Sequence, residues 1–338
     1  MNRIHSDYPL VELHRHLDGS VRLETILDIG LKHNLPLPAD TLEGLRPYVQ
    51  VTEAKPSILD FFEKFEWLTA IMLDDESCRR IAYENVEDAK NEGLDYIELR
   101  FSPWFMAEKY HLHPEGVVEA VVEGVQTGSQ DFGIPVNLIG IISRTYGPEI
   151  GMQELDALLS CKEAITAVDL AGDEIHFPGE IFTTHFKKAR DAGWYSCPHA
   201  GEAAGPESVW QAIHELGAER IGHAVAAAQD PALMDYLAEH GIGVESSLTS
   251  NVQTSTVPSY EAHPLKRFIQ AGVRACINTD DPGISAVTLT HEYNDAAVKA
   301  GLTEEEIFQA QKNALEVAFL SQAKKKSLLQ SKQAAAES

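Results

Sequence analysis

Histidines and carboxylates recur in a particular order along this 338-residue chain. "LVELHRHLDG" (10–19) sets His14 and His16 two positions apart, with Asp18 two further on. "CPHAGE" supplies His199 and Glu202, "RIGHA" supplies His223, and "INTDD" supplies Asp280 and Asp281. "DLAGDE" adds Gly172 and Asp173. Imidazole nitrogens and carboxylate oxygens are what a catalytic zinc ion takes, in sets of three or four with one position left to water. An ion held that way makes water acidic enough to attack at neutral pH. Spacing alone does not make His14 and His16 a ligand pair. With 14 His in the chain, composition yields a His-x-His on the order of once in two such chains. A second pair, His111 and His113 in "KYHLHPEG", precedes Pro114 and a helical pattern, as an ordinary loop would.

What separates the two pairs is the element beneath them. Short apolar runs alternate with helical patterns along the whole chain: 10–16, 95–102, 136–143, 164–172, 194–201, 220–224, 241–248 and 274–281 read as strands. Between them, "PESVWQAIHELG" and "PALMDYLAEHG" are helices closed by Gly, and "TEEEIFQAQKNALEVAFL" opens on a capping box of Thr303 and Glu306. Strands separated by helices imply parallel βα units, and eight of them close a (β/α)8 TIM barrel. An open doubly wound sheet shares the alternation, but no Gly-x-Gly-x-x-Gly follows the first strand. No linker or fixed repeat divides the chain, so one catalytic barrel domain over 1–338 is expected. Extra helices are inserted after strand 1, over about 19–94, and a helical tail runs over about 303–338. Within the insertion, "SILDFFEKFEWLTAIM" (57–72) puts Phe61, Phe62, Phe65 and Leu68 within reach of one helical face. It reads as a plain core helix or as a lid over an apolar ligand.

In such a barrel every strand opens at its C-terminal end onto one mouth, so these scattered clusters become one site. Positions i and i+2 of a strand face the same side, which lets His14 and His16 both point inward. His14, His16, His199 and Asp280 can then supply a zinc set from strands 1, 5 and 8. Glu202 suits a proton carrier if its surroundings raise its pKa, although a Glu after Gly also suits a helix N-terminus. His223 and Asp281 could hold or deprotonate the attacking water; the alternatives are a structural histidine and a turn before Pro282. Cys197 faces the same way as His199 but reads as a small buried core residue.

Composition narrows the partners. Lys and Arg number 27 against 52 Asp and Glu, a formal charge of −25. Such a surface repels phosphate backbones and anionic membranes, which argues against nucleic-acid binding and against a highly charged anionic substrate. Cys78, Cys161, Cys197 and Cys276 form no Cys-x-x-Cys, the N-terminus lacks an apolar signal core, and no run spans a membrane. A soluble cytoplasmic protein with reduced thiols is expected. Oligomeric state is not legible.

Taken as an ordered set over about residues 8 to 325, "VELHRHLDGS", "YIELRFSP", "DLAGDE", "HAGEAAGPESVWQAI", "ERIGHA", "ESSLTSNVQT" and "INTDDPG" strongly resemble the adenosine deaminases of the amidohydrolase superfamily, of the bacterial type. The resemblance implies one Zn2+ per subunit and hydrolysis of adenosine, with 2′-deoxyadenosine, to inosine and ammonia in purine salvage. By position, His14, His16, His199 and Asp280 correspond to the zinc ligands. Glu202 corresponds to the proton donor to the purine, and His223 to the residue that orients and helps activate the water. Asp18, Gly172, Asp281 and His16 correspond to substrate-binding positions. Two positions depart from the family pattern: Ala224 stands in "IGHA" where Gly is usual, and Pro198 removes a strand donor just before His199. Asp18 in "LDG" favours a nucleoside over adenine, and no basic cluster suits AMP. "DLAGDE" lacks the bridging Lys of two-metal relatives, and "CPHAGE" only imitates the cytidine-deaminase signature. A non-catalytic purine sensor on the same barrel would not need Glu202.

Overall fold

The computed structural model describes residues 2–51, 53–55 and 57–337. Nine strands are formed among them: β1 (Val11–His16), β2 (Tyr96–Phe101), β3 (Val136–Ser143), β4 (Ile165–Ala171), β5 (Tyr195–Ser196), β6 (His199–Ala200), β7 (Arg220–His223), β8 (Gly243–Ser246) and β9 (Arg274–Ile277). All pairings are parallel, in the orders β1-β2-β3-β4-β5 and β6-β7-β8-β9. The two sheets are joined at both seams. Beyond β9, Asp280 pairs with Arg15 of β1. At the other seam the chain runs directly from β5 to β6 through Cys197 and Pro198. Strands therefore follow one another around an α/β barrel, as the alternation predicts.

The expected fifth strand, 194–201, is the one that differs. It is split into β5 and β6 because Pro198 has no N–H for the ladder. The chain stays in place through neighbours: Cys197 N–H donates to Val168 O at 3.0 Å, and Pro198 O accepts from Gly222 N–H at 2.9 Å. The next amide, His199 N–H, donates to the Asp169 side chain at 3.1 Å instead of to a strand carbonyl.

Apolar side chains pack in separate clusters. Ile97, Ile142, Val168, Ile221 and Val244 are fully buried in the cluster that includes the surrounding helices, and Ile139, Ala167 and Cys197 pack with Phe319 in a separate cluster. Cys197 is thus a core residue, as expected. Helix Glu304–Val317 carries the Thr303–Glu306 capping box and packs on β9 and β1. Just after it, Phe319 stacks on Tyr195 with ring centroids 4.4 Å apart and donates its N–H to Glu98 at 2.8 Å. Phe319 thus lies against β5 and β2. His111 and His113 lie off the sheet, with His113 at the N-cap of helix Pro114–Phe132.

The segment 57–72 is not one helix. It forms Ile58–Phe62, a 3-10 turn Glu63–Phe65 and Glu66–Thr69 in succession. No helix among the described residues is long and apolar enough to cross a membrane.

Candidate metal and substrate site

β1 ends with His14 fully buried and His16 partly so, and the chain after β9 is locked against that pair. Asp280 N–H donates to His14 O at 2.9 Å, and His16 N–H donates to Asp280 O at 2.8 Å. Asp280 has φ 70° and His223 φ 62°. Non-glycine residues pay of order 1 kcal/mol or more for that left-handed region; here it turns both side chains out of the strand direction. Asp280 Oδ1 lies 3.2 Å from the Nε2 atoms of both His14 and His16.

The tightest group of possible metal donors among the described residues is His14, His199, His223 and Asp280, with one atom of each within 4.8 Å of the others. The sequence reading places His16 in this set and His223 outside it. His16 stands beside the group, its Nε2 3.3 Å from His199 Nε2. His14 Nε2 is buried without a hydrogen-bond partner, which is costly for a polar nitrogen unless a cation meets it. The donor set therefore fits a divalent metal that takes nitrogen and oxygen ligands.

Carboxylates orient the rings from behind. His14 Nδ1–H donates to Glu245 at 2.6 Å, and His199 Nδ1–H donates to Asp169 at 2.9 Å, so both Nε2 atoms present bare lone pairs to the centre. Arg100 bridges the two carboxylates, at 2.9 Å to Asp169 and 2.6 Å to Glu245, and Arg220 pairs with Glu245 and Glu98. All five charged groups are fully buried. Burial alone would raise Asp169 and Glu245; for Asp169 the neighbours His199 and Arg100, and for Glu245 the two arginines, hold the carboxyl well below the usual range. Burial pushes His199 down to about 3 in spite of Asp169. These partners were not picked out from the sequence. Their signal was present: "YIELRF" places Glu98 and Arg100 two apart in a buried strand, where apolar residues are the norm.

Glu202 lies on the loop after β6, with its carboxylate 3.7 Å from His223 Nε2. Burial, with the charges of Asp280 and Glu174, pushes it well above the usual carboxyl range. Glu174 fixes this loop. Its carboxylate accepts from the backbone N–H groups of Gly201, Glu202, Ala203 and Ala204 at 2.6–3.1 Å, and from Ser208 Oγ–H. Asp281 is likewise raised, by burial and then by Asp280, and its Oδ1 is buried without a partner.

A pocket of about 50 Å³ joins His16, Glu202, His223 and Asp281 to Phe61 and Phe65. A second cavity, of about 220 Å³, shares His16, Phe62, Phe65 and Gly172 with it and adds Asp18 and Phe105. Asp18 is held by Ser102 N–H at 2.9 Å. Gly172 has φ 116°, and a Cβ there would stand 2.4 Å from Thr145 Oγ1; only glycine lets the backbone face the cavity. Asp173 turns elsewhere and accepts from His176 N–H and Nδ1–H.

The family model described as Adenosine deaminase matches residues 9–334. An adenosine deaminase of Serratia proteamaculans is 59% identical over 325 residues, which are 96% of this chain and 98% of that one. Among solved structures, an adenine deaminase from Arthrobacter aurescens superposes with TM-score 0.89 at 23% identity, over 98% of this chain and 100% of that one. An Arabidopsis N6-mAMP deaminase superposes with TM-score 0.82 at 26% identity, over 97% and 98%.

Proposed function

The chain belongs to the adenosine deaminase family and deaminates adenosine by hydrolysis; from that premise we propose how its residues divide the work. His14, His16, His199 and Asp280 hold one Zn2+ ion, which when bound supplies Lewis-acid activation of water. His14 and His199 are suited to this by the carboxylates at their Nδ1 atoms, and His16 by Asp18 Oδ1, 3.7 Å from its Nδ1. His223 has no such carboxylate; its Nδ1 faces Asn251 at 3.1 Å. We assign it to the attacking water instead.

Glu202 is the proton carrier. The amino-bearing carbon of adenine is a poor electrophile until the adjacent ring nitrogen is protonated, and a carboxyl kept neutral by burial can give that proton. Across the reaction the water oxygen goes to that carbon. One proton ends on the ring nitrogen and one on the departing ammonia. Asp281, Gly172 and His16 seat the base, and Asp18 reaches the sugar; 2′-deoxyadenosine is a second substrate. The unpaired thiols of Cys78, Cys161, Cys197 and Cys276 suit a reducing cytoplasm.

The observation that carries this reading is the Glu202 carboxylate, 9% exposed and 3.7 Å from His223, beside a buried cluster of imidazole and carboxylate donors. An ultraviolet assay of adenosine, 2′-deoxyadenosine, adenine and AMP tests it. Turnover is expected for the nucleosides, lost on chelation and restored by zinc. Glu202→Gln should lower kcat by roughly 10²–10⁴-fold while retaining metal. Full activity in a folded Glu202→Gln protein would falsify the assignment.

A further inference from the structure

His223 meets the interior of the barrel differently from its neighbours. Where His14 and His199 give their Nδ1 protons to carboxylates, His223 Nδ1 faces a carboxamide. We propose that Asn251 and His263 are positioning residues that lock His223 into the tautomer carrying its proton on Nε2, so that it holds the attacking water as a hydrogen-bond donor and does not act as its base. This rests on the assignment of His223 to the water and chooses between the two roles open to it.

The lock follows from a chain of hydrogen bonds that starts at a group with no freedom. Leu265 N–H donates to His263 Nδ1 at 3.1 Å. A backbone N–H can only donate, so that nitrogen carries no proton. His263 is buried, and burial pushes it down to about 3; it is neutral, with its one proton on Nε2. That N–H donates to Asn251 Oδ1 at 3.0 Å. The Asn251 amide is thereby oriented, and its Nδ2 is the atom that meets His223 Nδ1 at 3.1 Å. An NH2 group can only donate, so His223 Nδ1 accepts and its proton resides on Nε2.

Asn251 is itself held on both sides of its backbone. Its N–H donates to Ser247 O at 3.0 Å, and its C=O accepts from Val257 N–H and Thr256 Oγ–H, both at 3.1 Å. His223 Nε2–H then points between Glu202 Oε2 and Asp280 Oδ2, each 3.7 Å away. The site thus contains imidazoles of opposite polarity: His14 and His199 present lone pairs, and His223 presents a proton.

Steady-state kinetics with metal analysis and 15N-histidine NMR test the lock. Asn251→Asp replaces the donor by an acceptor and forces the His223 proton onto Nδ1. We expect kcat on adenosine to fall by roughly 10²-fold or more, the penalty class of a wrong tautomer, with KM and zinc content little changed. His263→Leu releases the amide and should cost about tenfold in kcat; His263→Gln keeps an N–H toward Asn251 and should recover most of that loss. The NMR spectrum should show His223 protonated on Nε2 in the parent and on Nδ1 in Asn251→Asp. Should Asn251→Asp not fold, the His263 pair and the parent spectrum decide. Parent His223 protonated on Nδ1, unchanged kcat in Asn251→Asp, or equal losses in both His263 variants would overturn the lock. His223→Gln is measured alongside. If it alone is slow, only the lock falls; if it too keeps the parent kcat, the assignment of His223 to the water falls with it.

Discussion

At the scale of single residues, a carboxylate that lines neither cavity governs where Glu202 stands. Glu174 gathers the amides of residues 201–204, so Glu174→Ala would leave those donors and the Ser208 hydroxyl without their acceptor. A displacement of the proton carrier by about 1 Å costs roughly 10²-fold. We expect a loss of that order in kcat with KM nearly unchanged, and a smaller one in Glu174→Gln, which keeps an accepting oxygen. Steady-state kinetics beside circular dichroism reads both; a KM effect without a kcat effect would count against the role. Metal retention belongs to the same scale. Glu245→Gln still accepts from His14 Nδ1–H but loses the charge that makes the ring a strong donor. A chelator competition should show zinc affinity reduced by roughly 10- to 100-fold. The inward residues were legible from sequence because His14, His199, His223 and Asp280 sit at strand ends, where a barrel collects them. Glu174, Asp169, Glu245, Asn251 and His263 were not. Each acts through another residue across the barrel, and its partner is set by three-dimensional contact that no sequence spacing encodes.

At the scale of elements, every expected strand is present, and β3 (Val136–Ser143) coincides with the expected 136–143. β8 (Gly243–Ser246) and β9 (Arg274–Ile277), however, are each four residues shorter than the expected 241–248 and 274–281. Other departures have local causes. Pro198 splits β5 from β6, and Asp169 takes over the backbone bond that a continuous strand would have made. Ala224 adopts φ 50°, a left-handed conformation that glycine takes without steric cost. The segment 57–72 keeps the predicted apolar spacing but winds more tightly over Glu63–Phe65. That spacing fixed which side chains share a face; it could not show that the face looks into the active-site cavity. Phe65 borders both cavities, with its ring edge-on to Phe105 at 5.6 Å between centroids. If this face packs on the flat purine of the nucleoside, Phe65→Ala removes about 1.5 kcal/mol or more of burial. KM for adenosine should then rise roughly tenfold with a lesser change in kcat. An unchanged KM would return the segment to the plain core reading.

At the scale of the whole molecule, the same acidity that argues against nucleic acid sets how stability follows pH. The formal charge of −25 is not all on the surface: Glu12, Glu154 and Glu292 are fully buried. Burial pushes Glu12 and Glu154 up to about 7 and Glu292 up to about 8, against the lowering effect of Arg15 on Glu12 and of the hydrogen-bond donors to all three. A carboxyl whose pKa is raised by folding binds its proton more tightly in the native state. Its contribution is whole below the unfolded value of about 4.5 and is lost as pH rises to the folded one, at up to about 1.4 kcal/mol per pH unit. Asp169 and Glu245 are held low and behave oppositely, losing their contribution only in acid. The melting temperature of the parent should therefore decline from about pH 4.5 to about pH 8. Metal binding and surface repulsion also change over that range, so the parent curve alone does not isolate the buried acids. Glu292→Gln does, because it keeps an accepting oxygen for Thr249 and cannot ionise. In the difference between the two proteins the shared effects cancel, and only the cost of ionising Glu292 is left. Calorimetry at fixed ionic strength should find Glu292→Gln gaining on the parent as pH rises, most steeply below about pH 8, where the parent group titrates. A difference that is flat across the range would mean that Glu292 carries its charge in the folded protein at neutral pH, with Thr249 alone sufficient to hold it.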